Sequence, residues 1–216
     1  MKKSYRSAAS RILYFLAFVL TLVSGLLLLN SHYGTPASAP GAIRIPSQET
    51  AETPDEIKPA IDTYSVAADV PKYLTIPSLS VKARIVSLGV SADDRLLSPT
   101  NIHDVGWYDK SAKPASKTGA IVLDGHVSGP TQNGVFYDLK KLRAGDTIIL
   151  TAGNDTTTTF IVRTTEKLNV ADVDMNKVLA PVSSKLGLNM ITCTGSFNKD
   201  TNQYEERFIV YAEAAK

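Results

Sequence analysis

Residues 81–88 alternate, with Val81, Ala83 and Ile85 on one side and Lys82 and Arg84 on the other, the period of a half-buried strand. Short apolar or alternating runs recur at 73–77, 120–126, 147–150, 159–164, 188–193 and 207–212. Gly145-Asp146 and Gly153-Asn154-Asp155 supply turn signals between them, and Pro77 closes the first run. Only two stretches read as helical: 135–142, and 175–179 with Asp174 as its N-cap. Many short strands at this spacing predict an all-β body over residues 71–216, either a barrel or a sandwich.

The pattern changes towards the N-terminus. Residues 12–29 form an almost purely apolar run of 18, which as a helix extends about 27 Å against a bilayer core of about 30 Å. Lys2, Lys3, Arg6 and Arg11 precede it within the basic segment 1–11, which predicts a cytoplasmic N-terminus and a body outside the cell membrane. Ala37-Ser38-Ala39 has the small-x-small form of a cleavage site. The apolar run nevertheless exceeds the usual signal-peptide core of about 7–15 residues, and Pro40 follows the site, so an uncleaved single-pass anchor is expected. Between them, residues 30–70 spread Pro36, Pro40, Pro46, Pro54 and Pro59 among Ser, Thr, Ala, Glu and Asp without sustained apolar period. Such a stretch buries too little surface to offset chain entropy and reads as an extended tether, with His32 solvated in it.

Composition adds boundaries rather than identity. The 216 residues are 44% hydrophobic and 20% charged, suiting one domain with appendages. A net charge of +2 gives no sign of a nucleic-acid partner.

Candidate chemistry centres on Cys193, the single cysteine, which cannot form an internal disulfide. It ends the run Asn189-Met190-Ile191-Thr192-Cys193, and the small polar residues Thr192, Thr194 and Gly195 around it suggest a reactive thiol at an open strand end. The other reading is a buried cysteine acting as a small hydrophobe. His126 ends the run Ile121-Val122-Leu123-Asp124-Gly125, and Arg207 starts another strand on a face shared with Ile209 and Tyr211, where a guanidinium needs an anionic partner. Asp124 falls on the same side as His126, where a carboxylate would favour the imidazolium. Thr192 either orients the site through its hydroxyl or serves its strand. Trp107 and Tyr108 either line a substrate groove or pack in the core, and His103, beside Asp104, reads as a surface histidine.

The order His126, then Cys193 after 67 residues, then Arg207 after 14 more, with the text Leu-Asp-Gly-His, Ile-Thr-Cys and Glu-Arg-Phe-Ile-Val-Tyr-Ala, resembles the sortase family of cysteine transpeptidases. Leu74-Thr75-Ile76-Pro77, Leu88-Gly89-Val90, Val105-Gly106-Trp107-Tyr108, Val135-Phe136-Tyr137 and Leu142-Arg143-Ala144-Gly145-Asp146 extend the likeness over about residues 71–213, nearest to the class F group. The text departs from the family where Thr-Leu-x-Thr-Cys is replaced by Asn189-Met190-Ile191-Thr192-Cys193, and where Asp124 stands in place of a small residue. The resemblance implies a closed eight-stranded barrel with short helices, its triad His126, Cys193 and Arg207 at one mouth. It also implies cleavage of a Leu-Pro-x-Thr-Gly-like sorting signal between Thr and Gly through a cysteine thioester. The implied partners are surface proteins bearing a C-terminal sorting signal and an amine acceptor, such as a peptidoglycan precursor or a pilin lysine. No cofactor is implied, and no spread of acidic residues argues for calcium, so no metal is expected.

Two other classes use similar parts. A cysteine peptidase would only hydrolyse its peptide, and a barrel that merely binds peptides would keep the three residues as a relic. The unrelated cysteine L,D-transpeptidases place histidine and cysteine close together in sequence, unlike the 67-residue interval here.

Overall fold

The computed structural model describes residues 54–92 and 94–215. Its strands are β1 (Pro71–Ile76), β2 (Val81–Leu88), β3 (Val105–Tyr108), β4 (Ala120–Gly125), β5 (Thr147–Ala152), β6 (Thr157–Asn169), β7 (Gly187–Asn198) and β8 (Gln203–Ala214). They close into a barrel in the order β1-β2-β3-β4-β7-β8-β6-β5. Closure leaves no unpaired edge, which answers the choice between barrel and sandwich. Pairing is antiparallel except for β2 with β3 and β4 with β7. The second of these parallel pairs brings the run ending in His126 beside the run that carries Cys193.

Side-chain alternation gives the barrel two faces. Inward, all eight strands contribute to one apolar core, including Leu74, Ile85, Trp107, Leu123, Met190 and Val210. Outward, β3, β4, β7 and β8 carry a second cluster of Tyr108, Ala120, Val122, Ile191, Ile209 and Tyr211. It is covered by Met175 and Val178 of the short helix α1 (Met175–Leu179) and by Leu96. Asp174 caps α1 as expected, its carboxylate accepting from Asn176 N at 2.9 Å. Asn189 of β7 donates through Nδ2 to the carbonyls of Val178 and Ala180, both at 2.7 Å, and so pins the end of the helix to the wall.

Two expectations change. Residues 135–142 form turns and a 3-10 segment, Leu139–Lys141, rather than an α-helix. Phe136, Leu139 and Leu142 are all buried, and a spacing of three aligns them only at three residues per turn. The tether reading of 30–70 also needs correction, because the chain from Pro54 onward is seated on the barrel. Asp55 N donates to Thr100 O at 2.8 Å, Ile102 N to Asp55 O at 3.0 Å and Gly153 N to Val70 O at 2.9 Å. The Tyr64 hydroxyl donates to Ile85 O and that of Tyr73 to Ile61 O, each at 2.5 Å. Backbone groups and tyrosine hydroxyls hold this strap, and neither produces a hydrophobic period in the sequence. Residues 1–11, the apolar run 12–29 and the tether from 30 to 53 with His32 lie outside the described residues. Among the described residues no helix is long and apolar enough to cross a membrane.

Candidate active site

The register of β4, β7 and β8 builds the site. Cys193 stands directly opposite Arg207, and Asp124 opposite Ile191. Continuing the β4–β7 register by two residues places His126 alongside Cys193. Histidine, cysteine and arginine therefore form one row across three adjacent strands, with Asp124 one step behind. All four share the outward parity of Val122, Ile191 and Ile209, so the row occupies the outer wall near one strand end and not the barrel mouth.

Local contacts fix each side chain. The buried Thr192 points inward and its hydroxyl donates to Gly125 O at 2.7 Å, tying β7 to β4 one residue before His126. A net contribution of about 1 kcal/mol is typical of such a bond. Arg207 Nη1 donates to the carbonyls of Tyr204 and Glu206, both at 3.0 Å, which holds the guanidinium along its own strand. The His126 carbonyl accepts from Phe136 N at 2.9 Å, and Gly134 packs so closely that a Cβ there would lie 2.3 Å from His126 O. Imidazole Nε2 is 2.6 Å from Pro99 O; a carbonyl only accepts, so Nε2 carries the proton and donates.

The thiol is not at an open strand end. β7 continues past it to Asn198, and Cys193 is only 9% exposed. Segment 96–99, between β2 and β3, lies over the row: Pro99 engages His126, the Ser98 hydroxyl bonds the Asp124 carboxylate, and Leu96 is buried on the wall beside them. Burial pushes the Cys193 thiol up to about 11, opposed by the Arg207 charge and reinforced by Asp124. At neutral pH the resting thiol is therefore protonated. Burial likewise raises the Asp124 carboxyl, against His126, the Ser98 hydroxyl and Arg207, all of which favour its charged form. Asp124 thus lies within electrostatic reach of His126, Arg207 and Cys193.

Trp107 is not a groove residue. It is 2% exposed in the inner core, and its indole N–H donates to Ala112 O at 3.3 Å. His103 is half-buried and donates through Nε2 to Glu56 O at 3.0 Å, away from the row. Its neighbour Asp104 is held by a two-pronged ion pair with Arg84 at 2.6 and 2.9 Å. Sequence reasoning missed Ser98 and Pro99, which stand in a loop without periodicity, and Tyr204, whose hydroxyl meets Ser128 Oγ at 2.8 Å. Among the described residues, no three His, Cys, Asp or Glu side chains gather to hold a metal ion.

The closed barrel thus sets a cysteine and an arginine opposite one another on β7 and β8, with a histidine arriving beside them on β4. The sortase domain model matches residues 74–215, and the chain belongs to the sortase family, the cysteine transpeptidases. Among solved structures, a lid mutant of sortase A from Corynebacterium diphtheriae is 24% identical, over 68% of this chain and 70% of that one, with a TM-score of 0.53. Group B Streptococcus pilus island 1 sortase C2 is 20% identical over 76% and 88%, with a TM-score of 0.53. Sortase C-1 from Actinomyces oris is 19% identical over 70% and 76%, with a TM-score of 0.51. At these identities the likeness establishes the shared fold. No curated protein sequence matches this chain.

Proposed function

We propose that the protein cleaves a Leu-Pro-x-Thr-Gly-like sorting signal between Thr and Gly and transfers the acyl group to an amine, with Cys193 as nucleophile, His126 as acid and base, and Arg207 as oxyanion donor. The observation that carries this reading is the three-strand row itself. Amide cleavage needs a nucleophile, a proton donor for a poor leaving group and a cation at the developing oxyanion, and the row supplies one of each.

Because the resting thiol is protonated, attack is coupled to proton removal by neutral His126. The sulfur forms a bond to the threonine carbonyl carbon, and the carbonyl oxygen becomes an oxyanion beside Arg207. Its collapse breaks the C–N bond, and the imidazolium delivers its proton to the departing glycine amine. The thioester then takes an incoming amine, whose proton passes to His126 and from there to the departing sulfur, so that the thiol and the neutral imidazole are both regenerated. Segment 96–99 shifts aside for the peptide, since the thiol is almost fully covered and Nε2 is engaged by Pro99.

Residues 12–29 anchor the enzyme as a single membrane pass with its catalytic domain outside the cell, a reading supported by the apolar run and the basic flank before it. The acceptor is a peptidoglycan precursor amine or a pilin lysine. Incubating the enzyme with a sorting-signal peptide and competing amines, one a glycine-type amine and the other a lysine side chain, tests the reaction. An amide product whose ratio follows the amine is expected; free acid alone would make the protein a hydrolase.

A further inference from the structure

The strap that precedes the barrel reaches the row through one side chain. Glu56 Oε1 accepts from Thr131 N at 2.9 Å and from Gln132 N at 3.0 Å, and the Thr131 hydroxyl bonds its other oxygen. Two adjacent backbone N–H groups converging on one carboxylate form an anion nest, and here the chain fills it with its own acid. The fit is close: a Cβ at Gly129 would lie 2.3 Å from Glu56 Oε1. The strap backbone is fixed in turn, by Asp55 against Thr100 and Ile102 and by His103 Nε2 donating to Glu56 O.

The clamped loop is the one that leaves His126. Within it Gly129 N donates to Gln132 O at 2.8 Å and Gly134 N to Val127 O at 3.0 Å, so the loop is closed by its own backbone bonds. Its far side holds the His126 carbonyl through Phe136 N. Its near side holds Tyr204 through Ser128, and Tyr204 O in turn accepts from Arg207 Nη1. One loop therefore supports both ends of the row, and the charge that secures it comes from a residue some fifteen positions before the first strand.

We infer that Glu56 is a positioning residue for the reaction: it locks the 127–134 loop and through it the placement of His126 and Arg207, so the catalytic unit begins in the strap and not at β1. The inference rests on the reading of His126 and Arg207 given above. These hydrogen bonds hold the Glu56 carboxyl below the usual glutamate range, with the Thr131 hydroxyl as the largest cause and His103 as the ionisable group facing it. The 127–134 loop itself carries no ionisable side chain. Because the folded value is depressed, the clamp is complete above the ordinary glutamate pKa of about 4.3 and is lost as pH falls through the lower folded value.

The test compares full-length wild type with Glu56→Ala, Glu56→Gln and Glu56→Asp. It measures steady-state peptide cleavage, and amide hydrogen exchange of residues 127–135 between about pH 3 and pH 7. Glu56→Ala is expected to lower kcat about tenfold or more with KM within about twofold, the pattern of a lost transition-state contact. Its Thr131 and Gln132 amides should exchange at least about tenfold faster while the barrel strands keep their protection. Glu56→Gln, which retains an acceptor, should recover part of both, and its loop protection should not fall at acid pH as that of wild type does. Wild-type kcat in Glu56→Ala would overturn the inference, as would unchanged loop exchange. Turnover that survives Cys193→Ala would sink the catalytic reading instead, and this proposal with it, while leaving the exchange result intact.

Discussion

The outer wall of β4, β7 and β8 has two ends built from the same strands by the same alternation, and they behave as different materials. At one end Ala120, Val122, Ile191, Ile209 and Tyr211 meet Met175 and Val178 of α1, and the helix is pinned by Asn189. At the other, two to four residues away along each strand, Asp124, His126, Cys193 and Arg207 are covered by segment 96–99. The first end contributes stability through buried apolar area. The second places four polar or ionisable groups where burial penalises charge, the kind of arrangement that the proposed chemistry would use. A fold can thus convert a packing face into a reactive one by changing residues along a strand without changing the backbone.

Substitutions should separate the two ends. Cys193→Ala should abolish peptide cleavage. Arg207→Ala should lower turnover at least about a hundredfold to a thousandfold, the range for removing one oxyanion donor, and Arg207→Lys should recover little because it lacks the planar fork. Circular dichroism and thermal unfolding should stay near wild type, since the inner core is untouched. A Variant at Arg207 with near-normal turnover would dissolve the distinction between the ends.

At the helix end the signature should reverse. Val178 is fully buried, so Val178→Ala should cost about 2 kcal/mol, from two methylene-sized groups at about 0.8 kcal/mol each plus a small cavity. Denaturant unfolding would measure that loss, while turnover per folded molecule should change little.

Thiol titration sharpens the contrast further. Alkylation of Cys193 should be slow at pH 7 and gain about tenfold per pH unit up to about 11, because the thiolate is the reactive form. Arg207→Ala removes the charge that favours the thiolate, so alkylation at fixed pH should slow; Asp124→Asn removes an opposing charge and should speed it by a few-fold. An unmoved rate in both would mean that the row is not electrostatically coupled. The smallest effect should come from Asp174→Ala, about 1 kcal/mol from a lost N-cap, with no change in alkylation.

Much of this was legible before the structure. Short apolar or alternating runs located seven strands, because each buries one or both of its faces. The eighth, β3, is only four residues long with a glycine inside it, too short a run to read, and was visible only through the sortase resemblance. His126, Cys193 and Arg207 were named from strand-end positions and spacing. Their common row was not readable, since pairing β4 with β7 across two intervening strands leaves no local trace. Nor were Pro99, Ser98 and Glu56, whose contributions come from a carbonyl, a hydroxyl and a carboxylate in segments without period. Trp107 was readable as either a groove or a core residue, and its parity on β3 turns it inward.

The central claim is that Cys193 takes the acyl group covalently. Full-length protein mixed with a sorting-signal peptide in the absence of amine, then quenched in acid, should show by intact mass and peptide mapping an adduct equal to the peptide truncated after threonine, located on Cys193. The adduct should disappear on adding amine, with an amide product formed in equal amount, and should not form in His126→Ala or Arg207→Ala within the same time. Peptide cleaved without any adduct on Cys193, or an adduct located elsewhere, would contradict the account.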